Sequence, residues 1–229
     1  MKSIINQPKI ARRATVSNIA SVGGMFMLLA SVVISLFWEV YALYANLLLI
    51  AGLGVSMLGI YYANRWVKKP RPEASLDTTL KSLSNAYRLY HYPSIPTDHV
   101  LLTPNGVFVL ETVNLAGRFT YKNGRWREHM SFGRALRYIV EEHLGDPLKS
   151  AHLGAVYLEK RLRQVVGEQA HLPVKGVVVF THPAVRLEIE NPPLPVVTLD
   201  KLRKNLQLPG PRLEQAVYDP ISAYLESKV

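Results

Sequence analysis

The chain contains no cysteine. Disulfide staples, a cysteine-based zinc ribbon and a thiol nucleophile are therefore excluded. Charge is also sparse: Asp, Glu, Lys and Arg make up 19% of the 229 residues, against 48% apolar ones. An acidic disordered chain has the opposite balance and is excluded too. Acid is scarcer than base, with 17 Asp and Glu against 27 Lys and Arg, for a formal net charge of +10. The seven histidines show no spacing that suits a zinc site. A glycine-rich phosphate loop and a serine nucleophile elbow are missing as well.

The shortage of charge is concentrated at one end. Ala14 to Trp38 and Val40 to Asn64 carry no charged residue, and only Glu39 lies between them. Each run exceeds the ~20 residues a helix needs to cross a bilayer. A charge at mid-membrane costs roughly 2.5–3.5 kcal/mol on insertion scales, which places Glu39 in a turn at an interface. Phe37, Trp38, Tyr41 and Tyr44 surround it like an aromatic belt. Lys2, Lys9, Arg12 and Arg13 flank one end of the pair, and Arg65, Lys68, Lys69 and Arg71 the other. Positive charge on both flanks predicts an integral membrane protein with both termini cytoplasmic. Two other readings compete. A cleaved signal peptide has a shorter apolar core and no second span. A buried hairpin of a soluble protein should show a polar face, yet Met25 to Phe37 offers only two serines.

The expected organisation follows. Residues 1–13 form a basic cytoplasmic N-terminus, 14–64 a transmembrane helical hairpin, 65–75 a basic juxtamembrane linker and 76–229 an α/β domain. Within that domain Leu76, Leu80, Leu83 and Tyr87 have helical spacing, predicting an amphipathic helix over Asp77 to Tyr87. His99 to Thr103 and Val107 to Thr112 read as strands joined by Pro104-Asn105-Gly106, a β-hairpin. Gly117 to Tyr121 and Arg125 to Arg127 flank a second turn whose signal is Asn123-Gly124. Asp146-Pro147 begins a helix with a capping Asp and Pro at the first position. Its buried stripe runs through Leu148, Ala151, Ala155, Leu158, Leu162 and Val165. Val174 to Phe180 is a buried strand, Val196-Val197 another, and helices follow at Leu199 to Leu206 and Arg212 to Glu226.

The first hairpin opposes two acids. With Thr103 to Gly106 as the turn, Asp98 stands across from Glu111. Directly opposed residues have Cβ atoms about 4.5–5.5 Å apart, and like charges there are destabilising. Such a pair needs a cation or a shared proton. A hard divalent ion such as Mg²⁺ binds through one or two carboxylates and keeps several waters. A structural account competes: Asp98 caps the turn after Pro96, and Glu111 pairs with Arg118 or Arg127. Tyr87, Tyr90, His91 and Tyr92 are either bases' stacking partners or core.

The run from Thr97 to Thr112, with its Asp98-His99 pair, its Thr103-Pro104-Asn105-Gly106 turn and the strand ending at Glu111, resembles the core of the nuclease-related domain (NERD). Asn114, Gly117 and Trp126 fit that family's following Asn, Gly and Trp. Asp146-Pro147-Leu148 resembles its Asn-Pro-Leu helix start, and Val177 to Phe180 its later strand. The resemblance spans roughly Asp77 to Leu206. It implies kinship with the PD-(D/E)XK nucleases: an α/β fold in which the two-helix transmembrane hairpin precedes a small mixed sheet flanked by helices. For an active enzyme it also implies Mg or Mn as the metal, held by Asp98 and Glu111, and for an inactive one no cofactor; Asp77 is a weak match to a helix acid. DNA processing is the implied role.

Two positions depart from the family pattern: Val113 stands where Glu-x-Lys has its lysine, and Ser150 where Gln is usual. A lysine at 113 would share Glu111's face, two residues along the strand, and would orient the attacking water. Valine does neither, so hydrolysis is expected to be weak or lost unless Arg118, Lys122 or Lys149 replaces it. Lys149 lies in a helix's first turn, which favours phosphate. Two functions are therefore carried forward. One is a catalytically weakened or inactive module binding nucleic acid or a protein partner at the membrane. The alternative is an active metal-dependent DNA endonuclease using a migrated Lys or Arg. Residues 65–229 hold 23 basic and 16 acidic residues, a net +7, of which the membrane-adjacent Arg65, Lys68, Lys69 and Arg71 supply +4. Net charge is thus weak evidence for nucleic acid.

Overall fold

The two charge-free windows become helices α1 (Gln7–Phe37) and α2 (Ala42–Trp66), joined by a 3₁₀ turn over Glu39–Tyr41. This is a computed structural model, and it describes residues 1–129, 143–208 and 211–229. Glu39 lies in the turn, as its charge requires. Buried Ser17, Gly24 and Ser31 on α1 and Ala45, Gly52 and Gly59 on α2 each recur every seven residues. A seven-residue repeat keeps one seam facing the partner helix. Small side chains let the backbones approach closely. The Ser17 hydroxyl donates to the Gly59 carbonyl at 3.0 Å. A Cβ on Gly59 would lie 2.5 Å from the Ser21 amide nitrogen. The other faces expose Ile19, Phe26, Leu36, Leu43, Leu47, Ile50 and Leu58. Both helices are long and apolar enough to cross a membrane.

Gln7–Arg71 forms one unit; Met1–Asn6, the described residues from Pro72 to 129 and those from Leu144 onward form the other. That second unit is α/β. Its main sheet has six strands in the order β1 (Lys2–Ile5), β2 (Arg88–His91), β3 (His99–Thr103), β4 (Gly106–Val113), β7 (Val174–Phe180), β9 (Val196–Thr198). β3 runs antiparallel to both β2 and β4, whereas β1, β7 and β9 join in parallel. A second sheet orders β6 (Arg125–His129), β5 (Gly117–Lys122) and β8 (Val185–Ile189). Helices α3 (Pro72–Leu80) and α5 (Leu199–Asn205) cover one face of the main sheet, packing Leu76, Leu80 and Leu202 on Leu101, Phe108, Leu110 and Val177. Helices α4 (Pro147–Val166) and α6 (Gln215–Glu226) cover the other, packing Leu158, Leu162, Ile221 and Leu225 on Val100, Leu102, Val107 and Val109. β5 and β8 rest on the end of this core through Phe119 and Leu187, with the Phe119 and Phe180 rings 5.4 Å apart.

The register of the β3–β4 hairpin is the expected one: His99 faces Leu110 and Thr103 faces Gly106. The Thr103 hydroxyl closes the turn, donating to the Gly106 carbonyl at 2.9 Å and accepting from the Asn105 amide at 3.2 Å. Gly106 adopts φ +149°, a backbone state that disfavours any side chain. Asp146 caps α4 by accepting from the Lys149 amide at 3.1 Å.

Four elements differ from the sequence expectation. The helix expected over Asp77 to Tyr87 spans Pro72 to Leu80 instead. Beyond it Ser82, Ser84 and Asn85 favour turns, because their side chains compete for backbone hydrogen bonds. Leu83 and Tyr87 nonetheless reach the same core. β8 was not foreseen, nor was β2. Most notably, the basic N-terminal segment contributes strand β1, which pairs with β2 from Lys2 opposite Arg88 to Ile5 opposite His91. The apolar hairpin is thus inserted after the first strand of the α/β unit.

Candidate metal centre and the buried polar array

A cleft of about 540 Å³ opens beside the β3–β4 hairpin. Asp98, just ahead of β3, and Glu111, near the end of β4, both line it. The last pair of the hairpin register, His99 against Leu110, is adjacent in sequence to both acids. Helix α4 supplies the opposite wall with Ser150, Leu153, Gly154 and Tyr157. These four recur at three- and four-residue spacing and so share one helical face. Gly154 sets how near the helix comes: a Cβ there would lie 3.0 Å from the Thr97 methyl and 3.2 Å from Val109.

The cleft is an oxygen-rich site. Two carboxylates, the Ser150 hydroxyl and the Tyr157 hydroxyl are candidate hard ligands or water-holders. The Thr97 side chain lines the cleft 6% exposed, and its hydroxyl has no hydrogen-bond partner among the described residues. A buried hydroxyl left unsatisfied costs about 1–3 kcal/mol, so a water or ion at this wall would be welcome. No group of three or more His, Asp or Glu gathers as a metal cluster among the described residues.

None of the described lining residues is a cation. Val113 is 7% exposed and sits among Leu148, Ala151 and Val178, where the family pattern places an ammonium. The three cations considered as replacements lie elsewhere. Arg118 pairs with Glu188 at 2.6 Å and Lys122 with Glu190 at 3.1 Å, both on the small sheet. Lys149 is exposed and does not line the cleft.

Asp77 belongs to a different site, on the sheet face covered by α3. The His91 Nε2–H donates to Asp77 Oδ1 at 3.1 Å. His91 Nδ1 and His99 Nδ1 lie 2.8 Å apart, within hydrogen-bond distance. The Tyr92 ring is 4.9 Å from His99, and its hydroxyl donates to Glu73 Oε2 at 2.9 Å. Asn6 Nδ2 donates to the Tyr92 carbonyl at 3.3 Å. His91 and His99 are wholly buried, and Glu73 is 2% exposed. Tyr90, His91 and Tyr92 are therefore core residues, closed to bases. Glu73 escaped the sequence reading because it lies in the first turn of a helix placed five residues too late. The one available signal was the pair of histidines on either side of a short turn-forming segment.

Burial raises the Asp77 carboxyl, but hydrogen bonds from His91 and Ser3, together with the charge on His91, outweigh it. Its pKa lies below the ordinary 3.8. A depressed carboxyl contributes stability above its unfolded pKa and loses it as pH falls through the folded one. Asp77→Asn should therefore flatten the acid limb of a plot of melting temperature against pH below about 4. Thermal melts between neutral and strongly acid pH check this, and an unchanged acid limb would remove Asp77 from the account.

The fold is thus an α/β domain in which an antiparallel hairpin inside a mixed sheet presents its acidic end to a helix. Residues 71–181 match the family model of the nuclease-related domain, NERD. The match runs from the start of α3 to just beyond β7, taking in Asp98, Glu111 and Val113. No curated protein and no solved structure matches the chain.

Proposed function

We propose that this is a membrane-anchored nuclease-related protein whose cleft binds a divalent metal but hydrolyses phosphodiesters weakly or not at all. Its role is then to bind nucleic acid or a protein partner at the cytoplasmic face of the membrane. The observation that carries the reading is the cleft: Asp98 and Glu111 both line it, while Val113 is buried in apolar packing.

The donor set suits Mg²⁺ or Mn²⁺, being hard oxygen throughout. Asp98 and Glu111 would hold the ion, and Thr97 and Ser150 would anchor its waters. Bound there, a metal supplies Lewis-acid polarisation of a phosphoryl oxygen. Tyr157 and Leu153 restrict solvent on the helix side. Hydrolysis by a migrated Lys or Arg would, in the case of Lys149, need that side chain to enter the cleft from its exposed position on α4.

Two features support anchoring. The hairpin exposes a continuous apolar surface, which bilayer lipid would cover. β1 and β2 are hydrogen-bonded neighbours across the hairpin insertion. A hairpin that crosses twice returns the chain to the side it left, as that pairing demands. The basic residues flanking both helices support a cytoplasmic location for that side.

Calorimetry on the full chain in detergent tests the metal site. Mn²⁺ should bind wild type and fail to bind Asp98→Asn or Glu111→Gln. No heat from wild type, or equal binding by both variants, would overturn the assignment.

A further inference from the structure

We infer that the outward face of the small sheet is a polyanion-binding surface, taking the phosphate backbone of nucleic acid. Strand alternation sends Phe119, Tyr121, Trp126, Leu187 and Ile189 inward to the core. It leaves Arg118 and Lys122 of β5, Arg125 and Arg127 of β6 and Arg186 of β8 on the other face. The acids there are Glu188 and Glu190, and both are used, by Arg118 and Lys122. Arg125, Arg127 and Arg186 are exposed and have no ion-pair partner among the described residues. The excess is three guanidinium groups spread over two strands.

The register makes this excess costly. Lys122 stands directly opposite Arg125, and Arg118 directly opposite Arg186. Like charges so placed destabilise a sheet by roughly 0.2–1 kcal/mol a pair. A bound anion relieves both. The cations sit on a grid of about 6.8 Å along a strand and 4.8 Å between strands, so a single phosphate cannot reach them all. A chain of phosphates can, and arginine forks grip phosphate oxygens in pairs. No large apolar side chain is exposed anywhere on this sheet. Membrane-surface elements combine basic residues with apolar ones that enter the bilayer, and that second half is missing here. The face therefore suits nucleic acid better than lipid headgroups. The inference rests on the nucleic-acid reading above for the class of polyanion, and it needs no metal in the cleft.

The test uses the full chain in phosphatidylcholine nanodiscs and a fluorescent short DNA duplex, with anisotropy followed over rising salt. Arg125→Gln/Arg127→Gln/Arg186→Gln should weaken binding at least about tenfold and flatten the slope of log K against log salt by up to about 2.7, or 0.9 per lost contact. Glu188→Gln/Glu190→Gln frees two further cations and should tighten binding. This second variant acts in the opposite direction, so a general loss of folding cannot mimic it. Wild type that binds duplex equally well after the triple substitution overturns the surface and leaves the nucleic-acid reading standing. Wild type that binds neither duplex nor single strand overturns both. If headgroups are the true occupant, duplex binding is again missing and hydrogen exchange in β5 and β6 slows only in phosphatidylserine discs.

Discussion

Val113→Lys should turn a protein with background activity into a measurable Mn²⁺-dependent nuclease. Residue 113 lies two positions beyond Glu111 on β4 and so shares its face of the strand. A lysine there can lay its stem along Leu148 and Ala151 while its ammonium reaches toward Glu111 and the cleft. It would then orient water and offset charge developing on phosphate. One preorganised electrostatic donor is worth about 10²–10³ in rate at comparable sites, which is the gain expected. Burying the charge lowers stability by about 1–3 kcal/mol, partly recovered by the neighbouring carboxylate. Plasmid nicking measures the effect. Val113→Met preserves bulk without charge and should stay at background, as should Val113→Lys combined with Glu111→Gln. If Val113→Lys still binds Mn²⁺ but leaves plasmid intact, the missing ammonium is not what limits this site.

Gly176→Val should cost the domain about 3 kcal/mol or more, the upper range for overpacking. Gly176 is buried in the middle of the main sheet, where β7 passes directly beneath α4. A Cβ there would lie 2.6 Å from the Ala151 carbonyl oxygen and 2.9 Å from its carbon. Both are backbone atoms and cannot rotate aside, so the whole helix must lift. Leu148, Ala151, Leu158 and Leu162 would lose packing with it. The consequence reaches the cleft, because Ser150, Gly154 and Tyr157 ride on the same helix. Melting temperature should fall by about 6–12 °C for a domain of this size, and Mn²⁺ affinity should drop in parallel. Lys175→Val, at the exposed neighbouring position, is the control and should change little. A wild-type melting temperature in Gly176→Val would mean that α4 packs elsewhere than described.

Several features were legible from residues alone because they depend on local physics. Charge-free runs longer than a bilayer is thick can hardly be anything but long apolar helices, and the charge at Glu39 located their turn. The Thr103-Pro104-Asn105-Gly106 turn specified the hairpin register, since side chains alternate strictly along a strand. That register carried Asp98 opposite Glu111 and exposed Val113 as the departure. Asp146-Pro147 marked the start of α4 for an equally local reason: a cap and a fixed φ.

Other features depend on partners far apart in the chain. Lys2 to Ile5 is too short to announce a strand; it becomes one because β2, more than eighty residues later, offers a parallel edge. Glu73 carries no signal in the sequence and His91 reads as either a stacking partner or core; packing of α3 makes them members of one buried array. The three unpaired arginines of the small sheet became a surface only when β8 brought Glu188 and Glu190 to Arg118 and Lys122. Sequence determined which residues alternate, turn and avoid water, because those properties belong to neighbouring atoms. Tertiary structure alone decided that Ser150 and Tyr157 line the same cleft as Asp98 and Glu111, and which charges have no ion-pair partner among the described residues. Those outcomes depend on distances between segments that no local pattern records.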